Sequence, residues 1–254
     1  INIWQNPQMK NKEISVSGFF PFLNDWGTIG SLVATLDCAL KVNCRDYEII
    51  IIDDGSDDLS KKILKNLKTK FAKLRIITHH KNRGYGGAIK SGIRASTKDW
   101  IFYTDGDAQY NPGEVVSFID AVRPNIDIIN GYKIKRLDPW YRVLLGRLYH
   151  NIVKLSFNTP IRDTDCDFRL MRRSIFEKVK LESSSGLICV EMIKKISDFG
   201  YKFKEIPVNH YWRTSGKSQF FNFRRVGRVI IGLSKLWYKL VIRKDHLKNE
   251  VRLG

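Results

Sequence analysis

Two aspartates separated by one glycine, Asp105 and Asp107, directly follow an apolar run over residues 100–104. Such a run is typical of a strand buried on both faces of a parallel sheet. Side chains two positions apart on an extended strand end point the same way, so both carboxylates could face one hard cation. Mg²⁺ or Mn²⁺ would suit this pair and could neutralise a departing nucleoside diphosphate. Asp-Gly is also a common turn pair, and only the position after a buried strand favours a metal.

A second acidic pair, Asp53 and Asp54, follows the four isoleucines at 49–52 and precedes a glycine and a serine. Carboxylates at a strand end can accept hydrogen bonds from a base or ribose, although Asp and Ser are also common helix N-caps. Between the two pairs, the glycine-rich residues 81–88 lead into a helix, where backbone N–H groups can approach a phosphate or ribose. Their spacing differs from the dinucleotide fingerprint, and the sequence contains no P-loop motif.

Strands and helices alternate in the first half of the chain, and this order predicts how the acidic pairs are positioned. Strands are predicted at residues 14–18, 47–53, 74–78, 100–104 and 126–130, and helices at 28–41, 58–71 and 86–95. The order predicts an α/β fold with an open, mostly parallel, Rossmann-like sheet and helices on both faces. Ligands of such sheets bind beyond the carboxyl ends of the strands. In the less regular second half, helices are predicted at 140–157 and 187–199, and strands at 168–171 and 202–208.

The charge of the chain is strongly positive and unevenly distributed. The 254 residues carry a formal net charge of +18, and residues 201–254 contain 13 Lys and Arg against 3 Asp and Glu. This balance favours an anionic partner, which could be a phosphorylated ligand, a nucleic acid or an anionic membrane surface. The four cysteines form no C-x-x-C pair, which favours reduced thiols and a cytoplasmic location. No apolar run reaches the ~20 residues that a membrane-spanning helix needs.

A helical pattern over residues 221–243 coincides with the basic end of the chain. Its apolar positions recur at helical spacing, and most of the basic residues Arg224, Arg228, Lys235 and Lys239 fall on the other face. Such a basic amphipathic helix could lie in an anionic membrane interface, which predicts a peripheral protein at the cytoplasmic membrane face. The alternative is a helix packed on the domain with a solvated basic face. We therefore expect an α/β catalytic domain at 1–219 and a basic C-terminal helix at 220–254.

Six short motifs in this order resemble glycosyltransferase family 2. They are PFLND at 21–25, DDGS at 53–56, NRGYGGA at 82–88, DGD at 105–107, DTDCDFRL at 163–170 and RTSGKS at 213–218. The most similar branch is that of the polyprenyl-phosphate sugar synthases, such as dolichyl-phosphate mannose synthase. The resemblance covers about residues 14–219 and implies a GT-A fold. It also implies an inverting, metal-dependent transfer of a hexose from a UDP- or GDP-linked sugar, with polyprenyl or dolichyl phosphate as the expected acceptor.

The resemblance implies roles for individual residues. The nucleotide-sugar would contact Pro21, Asn24, Asp53, Asp54, Lys81, Arg83, Gly84 and Asp105. The metal, Mg²⁺ or Mn²⁺, would be bound by Asp105, Asp107 and Gln109. The acceptor phosphate or the diphosphate would contact Lys133, Arg142, Arg213 and Ser218. Lysine at 133 departs from the arginine that is commoner in the family, and a lysine cannot make a bidentate contact.

Three acids in the second half of the chain, Asp163, Asp165 and Glu191, are the candidate catalytic residues. Family 2 enzymes invert the anomeric centre by direct displacement, and a hydroxyl acceptor then needs a general base near the attacking oxygen. Asp163 or Asp165 would be that base. A phosphate acceptor is already anionic, and the two aspartates would then orient the acceptor loop or the metal shell. Glu191 is expected to face the same pocket, or else to be an exposed helix acid.

Two further functions are compatible with the sequence. The same fold could transfer a sugar to a saccharide hydroxyl in the synthesis of a cell-surface polysaccharide. A basic nucleic-acid-binding protein would also explain the net charge, but acidic clusters at the strand ends would repel a phosphate backbone. We therefore expect a nucleotide-sugar, a lipid-phosphate or saccharide acceptor and an anionic membrane surface as partners, and no nucleic acid.

Overall fold

The computed structural model describes residues 13–136, 150–212 and 223–248, and its strands form one seven-stranded sheet. The strands are β1 Ser15–Phe22, β2 Asp46–Asp53, β3 Leu74–Thr78, β4 Trp100–Thr104, β5 Ile128–Arg136, β6 Phe168–Arg172 and β7 Phe203–His210. Their order across the sheet is β3-β2-β1-β4-β6-β5-β7. Each strand predicted from the sequence is present, and the α/β fold is confirmed.

The sheet is mostly parallel, with one reversed strand near its middle. β1 pairs in parallel with β2 and β4, β2 pairs with β3, and β5 pairs with β7. β6 lies antiparallel between β4 and β5, so that Phe168 at the start of β6 pairs with Thr104 at the end of β4. Because of this reversal, the residues that precede β6 lie at the same edge of the sheet as the residues that follow β4.

Helices cover both faces of the sheet. They are α1 Trp26–Asn43, α2 Asp58–Lys70, α3 Tyr85–Ala95, α4 Val115–Asp120, α5 at 150–157, α6 Ile175–Lys178, α7 Ile188–Asp198, α8 Phe223–Trp237 and α9 Asp245–Lys248. Successive strand residues point to opposite faces. Accordingly, Phe20 of β1 belongs to the core cluster that includes α1, α2 and α4, and Phe19 to the cluster that includes α3, α6 and α7.

Two strands extend by four or more residues beyond their predicted ends. β1 continues to Phe22, so Pro21 lies inside the strand, opposite Ile52, and not in the turn that follows it. Proline disfavours a central strand because it lacks an N–H donor, but here it stands next to the last residue of β1. β5 continues to Arg136 through an irregular register with β7. Of the helix predicted at 140–157, residues 150–157 are helical and 140–149 lie outside the described residues.

The C-terminal segment is helical and packs on the domain. α8 continues as a π-helical segment, Tyr238–Ile242. Together they contact buried residues of α5 and α7 through Leu233, Leu236, Trp237 and Val241. Nearer the start of α8, the apolar residues 229–231 are exposed. In the parts of the chain that the structure describes, no helix is both long and apolar enough to cross a bilayer.

Candidate active site

The carboxyl ends of β1, β2 and β4 meet at one edge of the sheet. Asp54, directly after β2, donates its backbone N–H to the carbonyl of Phe22 at the end of β1, at 2.9 Å. Thr28 of α1 donates its hydroxyl to the carbonyl of Gly106, between the two aspartates that follow β4, at 2.6 Å. The two acidic pairs recognised in the sequence therefore lie at the same edge, on either side of β1.

Asp53 is fully buried and uses only one of its carboxylate oxygens within the fold. Its Oδ1 accepts the N–H of Ser56 at 2.9 Å, whereas Oδ2 is buried and has no hydrogen-bond partner among the described residues. Leaving a buried acceptor unpaired costs about 1–3 kcal/mol. Asp53 Oδ2 is therefore an acceptor that a ligand donor could satisfy.

Asn24 connects the turn after β1 with the turn after β2. It has a positive φ of 59°, which asparagine tolerates better than most residues. Its backbone N–H donates to the hydroxyl of Ser56 at 3.2 Å, and its Oδ1 accepts the N–H of Asp57 at 2.9 Å. The exposed Asn24 therefore stabilises the loops around Asp53.

Asp54 is buried and anchors the glycine-rich turn, residues 81–88. Its Oδ1 accepts the backbone N–H of Arg83 at 2.8 Å and lies 2.6 Å from Nδ1 of His79. The ring of His79 is also buried, and its Nε2 lies 2.9 Å from the hydroxyl of Ser91. Lys81 and Arg83 are exposed beside this network. These contacts of His79 could not be predicted from the sequence, because its partners lie on other elements of the fold.

At Gly84 and Gly86, the glycine-rich turn approaches a distant loop so closely that a side chain would not fit. Gly84 has a φ of 77°, and a Cβ at this position would clash with the carbonyl oxygen of Ser184. Gly86 donates its N–H to that same oxygen at 2.9 Å. The first turn of α3 is thus fixed in place, and N–H groups of a first helical turn are the ones that can bind an anion.

We expect Gly84→Ala to lower the free energy of unfolding by about 1–3 kcal/mol, because alanine adopts a positive φ only with strain. Its Cβ would also push residue 184 away. Urea denaturation measures the change. Gly186→Ala is the matched control, since a Cβ there meets no atom within 4 Å, and we expect a change below about 0.5 kcal/mol. Equal losses in the two variants would contradict the tight contact.

Asp105 lies among other carboxylates and is half-buried. Its Oδ1 accepts the hydroxyl of Tyr85 at 2.7 Å. Burial, followed by the carboxylates of Asp167 and Asp107, raises the pKa of Asp105 well above its ordinary value. Asp107 is buried, and its Oδ1 accepts the N–H of Gln109 at 3.1 Å. A divalent cation would relieve the repulsion between these carboxylates, so the donor set fits Mg²⁺ or Mn²⁺.

Further ligands of such an ion would come from outside this pair. Among the described residues, no group of three or more acidic, histidine or cysteine side chains is arranged to hold a metal. Gln109 makes two hydrogen bonds with Tyr211. Its side-chain Nε2 donates to the carbonyl of Tyr211 at 3.4 Å, and the backbone N–H of Tyr211 donates to the backbone carbonyl of Gln109 at 2.9 Å. These bonds tie the turn after β4 to the residue after β7.

The segment 163–167, which precedes β6, brings three more aspartates to the same edge. The Oδ1 of Asp163 accepts the N–H of Asp165 at 3.1 Å. Lys133 of β5 donates its Nζ to the Asp165 carbonyl at 2.9 Å and lies 4.0 Å from Oδ2 of Asp163. Burial raises the pKa of Asp165 to about 6, although Lys133 opposes this shift. Asp167, which was not among the predicted site residues, accepts a hydrogen bond from the thiol of Cys189 at 3.1 Å.

Arg169 holds this segment from inside the protein and is fully buried. Its Nε donates to Oδ1 of Asn130 at 2.6 Å, and its other nitrogens donate to the hydroxyl of Tyr103 and the carbonyl of Thr164. The guanidinium also lies 3.8 Å from the carboxylate of Asp167. One buried cation therefore links β4, β5 and the 163–167 segment.

Glu191 of α7 is 1% exposed, so the alternative of an exposed helix acid is wrong. Its Oε1 accepts the N–H of Glu182 at 2.9 Å, and its Oε2 accepts the N–H of Ser183 at 2.8 Å. Lys195 lies 2.7 Å from Oε1. Burial opposes ionisation, but Lys195 and the Ser183 N–H together hold the pKa of Glu191 below its ordinary value. Both oxygens are therefore used within the fold. Arg142, Arg213 and Ser218 lie outside the described residues.

A sheet of this order, with acids at these strand ends, defines a GT-A glycosyltransferase fold. The solved structure of glucosyl-3-phosphoglycerate synthase from Mycobacterium tuberculosis, in complex with Mn²⁺, UDP and glucosyl-3-phosphoglycerate, matches with a TM-score of 0.68. The match covers 93% of this chain and 85% of that one at 13% identity, which establishes likeness of fold alone. The sequence profile described as glycosyl transferase family 2 matches residues 19–180, and the chain belongs to this family.

Curated relatives come from the same family branch as the resemblance. The undecaprenyl-phosphate 4-deoxy-4-formamido-L-arabinose transferase of Aeromonas hydrophila is 26% identical over 218 residues, which is 84% of this chain and 65% of the relative. The protein of the same name from Edwardsiella ictaluri is 27% identical over 207 residues, which is 81% of this chain and 62% of the relative. The chain thus spans less than two thirds of the length of either relative.

Proposed function

We propose that this chain contains the catalytic domain of an inverting glycosyltransferase, which moves a hexose from a UDP- or GDP-linked sugar to a polyprenyl phosphate. The observation that carries the proposal is the convergence of three acidic segments, residues 53–54, 105–107 and 163–167, with Lys133 at one edge of the sheet. Family membership and the names of the curated relatives support it.

On the donor side, the unpaired Oδ2 of Asp53 would accept a hydrogen bond from the base or ribose. Asp54 would act in the same pocket while it fixes the backbone of Arg83. The rest of the donor pocket would be formed by Pro21, Asn24, Lys81 and Gly84. This arrangement gives the nucleoside a set of fixed polar partners before it binds, which lowers the ordering cost of binding.

Asp105 and Asp107 would hold Mg²⁺ or Mn²⁺ together with diphosphate oxygens, and Tyr85 would orient Asp105 through its hydroxyl. Gln109 would join them through its Oε1, because its bond to the Tyr211 carbonyl is made by Nε2. The ion supplies positive charge that stabilises the departing diphosphate. The presence of Mn²⁺ and UDP in the M. tuberculosis synthase supports this assignment for the fold.

On the acceptor side, the ammonium of Lys133 would attract an anionic acceptor toward the sugar. Asp163 and Asp165 would orient it, because their loop and Lys133 are joined by short contacts. Arg142, Arg213 and Ser218 would complete the phosphate contacts. The undecaprenyl phosphate in the names of the relatives supports a polyprenyl phosphate as this anion.

The basic C-terminal part, 220–254, would bring the domain at 1–219 to an anionic membrane surface at the cytoplasmic face. The exposed apolar residues 229–231 of α8 support a peripheral contact, which would bind more weakly as salt rises. Nucleic-acid binding has less support, since carboxylates occupy the ligand edge of the sheet and the excess of positive charge is accounted for by an anionic lipid.

A saccharide hydroxyl is the second candidate acceptor, and Asp165 is the residue that favours it. A pKa near 6 is closer to neutrality than that of an ordinary aspartate, which makes its carboxylate a better general base. Because this pKa is raised, the basic form is present above about pH 6 and is lost as the pH falls below it. A phosphate acceptor needs no such base.

Transfer assays with the two acceptor classes separate these candidates. With polyprenyl phosphate in vesicles, we expect labelled sugar to enter the lipid fraction and Asp165→Asn to retain transfer within about tenfold. If a saccharide hydroxyl is the acceptor, Asp165→Asn should lose about 10²–10⁴-fold, and the wild-type rate should fall tenfold per pH unit below about pH 6. Transfer to a saccharide alone, with that pH profile, would replace the lipid acceptor in the proposal.

A further inference from the structure

A chain of charged side chains connects the C-terminal segment with the interior of the domain. Lys239, in the π-helical segment after α8, lies 2.5 Å from Oε2 of Glu182. The other oxygen of Glu182 lies 3.3 Å from Nζ of Lys195, and Lys195 pairs with Glu191 at 2.7 Å. Glu191 in turn accepts the backbone N–H groups of residues 182 and 183. The segment 182–184 is thus held by α7 on one side and by the C-terminal segment on the other.

The segment 182–184 is also the one that contacts the glycine-rich turn. The carbonyl of Ser184 accepts the N–H of Gly86, and a Cβ at Gly84 would clash with that carbonyl. A Cβ at Gly86 would clash with the carbonyl of Ser183. Because the two backbones touch, the segment cannot move away without freeing the first turn of α3.

Of these three ion pairs, the innermost and the outermost differ in strength. Lys195 and Glu191 are 3% and 2% exposed at their side chains, so removing either partner would leave a buried charge. Lys195 also donates to the carbonyl of Lys180 at 2.6 Å. The Lys239–Glu182 pair is about half exposed and contributes less. A hydrogen bond also holds the C-terminal segment on the domain, because Trp237 donates its indole N–H to the carbonyl of Ser156 at 2.9 Å.

We propose that Glu182, Lys195 and Glu191 are positioning residues for the donor site. Through its ion pair with Glu182, Lys239 connects the C-terminal segment to them. When the C-terminal segment packs on the domain, it holds residues 182–184 in contact with the glycine-rich turn. The affinity for the nucleotide therefore depends on Lys239, which belongs to a different element from every donor-site residue. This inference rests on the proposed function to the extent that the glycine-rich turn binds the donor.

Charge reversal at Lys239 tests the inference with a matched control on the same helix. Lys239→Glu turns the attraction to Glu182 into repulsion, and Lys239→Arg preserves it. Lys235→Glu makes the same change of net charge at an exposed position one turn earlier. Hydrogen exchange is measured on the whole chain over residues 180–188 and 83–88, together with the dissociation constant for UDP or GDP with Mn²⁺.

We expect Lys239→Glu to speed exchange in both segments, and to weaken nucleotide binding, by roughly threefold to tenfold. Lys239→Arg and Lys235→Glu should stay within about twofold of the wild type. Unchanged exchange in Lys239→Glu, an equal effect in Lys235→Glu, or faster exchange with unchanged nucleotide affinity would each overturn the inference. If the wild type binds neither nucleotide, but hydrogen exchange in the three variants changes as expected, the proposed function fails. The structural coupling between Lys239 and the glycine-rich turn is then still supported.

Discussion

Replacing Asp105 by asparagine is expected to lower the rate of sugar transfer by about 10³-fold, since a metal-bound diphosphate loses several kcal/mol of charge stabilisation. Asparagine keeps the shape and can still accept the hydroxyl of Tyr85, so the local structure is preserved. It removes the negative charge that would bind the cation. The measurement is the initial rate of transfer at saturating Mn²⁺ and nucleotide-sugar.

Stability separates this loss from misfolding. Burial and the neighbouring carboxylates of Asp167 and Asp107 raise the pKa of Asp105 in the folded state, so its ionised form weakens folding at neutral pH and this penalty disappears as the pH falls. Asp105→Asn should therefore be at least as stable as the wild type at pH 7. Asp99→Asn, at the opposite end of β4, is the control and should leave transfer unchanged. A variant at position 105 that transfers within tenfold of the wild type would refute the metal site.

Replacing Arg169 by methionine is expected to lower the free energy of unfolding by about 3–5 kcal/mol, the usual cost of removing one partner from a buried charged network. The fully buried guanidinium donates to Asn130, Tyr103 and the carbonyl of Thr164, and methionine satisfies none of these acceptors. It also leaves Asp167 without its cation at 3.8 Å. Urea denaturation of both proteins at pH 7 measures the difference.

Arg162→Met is the matched control for that substitution. Arg162 pairs with Glu205 at 3.6 Å, but its side chain is 68% exposed, so the pair should contribute only about 0–1 kcal/mol. If both arginine variants lost a similar free energy, the buried network would not be the source of the effect. We also expect Arg169→Met to disturb the 163–167 segment, because Arg169 fixes the carbonyl of Thr164.

Much of the fold could be predicted from the sequence because the central strands β2 and β4 contain continuous apolar runs. A strand buried on both faces favours apolar side chains, and residues 49–52 and 100–104 are the clearest examples. The acids at the ends of these runs could then be assigned to one edge of the sheet. The extension of β1 through Pro21 was missed, since proline ordinarily marks the end of a central strand.

The parts of the site that could not be predicted depend on contacts between distant residues. The contacts of His79 and Arg169 could not be predicted, although Arg169 lies within the motif at 163–170, because their partners lie on other strands and helices. Glu191 was selected from the sequence as a candidate catalytic acid, but its hydrogen bonds to residues 182 and 183 could not be predicted, because they follow from the path of the chain before α7. Asp167 could have been found from the alternation of aspartates at 163, 165 and 167.

Binding of nucleoside diphosphates with and without metal tests the central claim most directly. The melting temperature of the wild type and of Asp105→Asn is measured with UDP or GDP, in Mn²⁺ or EDTA. A ligand at 100 times its dissociation constant adds about 2.7 kcal/mol to the stability of the folded state. We predict that one nucleotide raises the melting temperature of the wild type in Mn²⁺, and that EDTA or Asp105→Asn abolishes the shift. No shift with either nucleotide, or a shift indifferent to both EDTA and Asp105→Asn, would contradict a metal-dependent donor site at the end of β4.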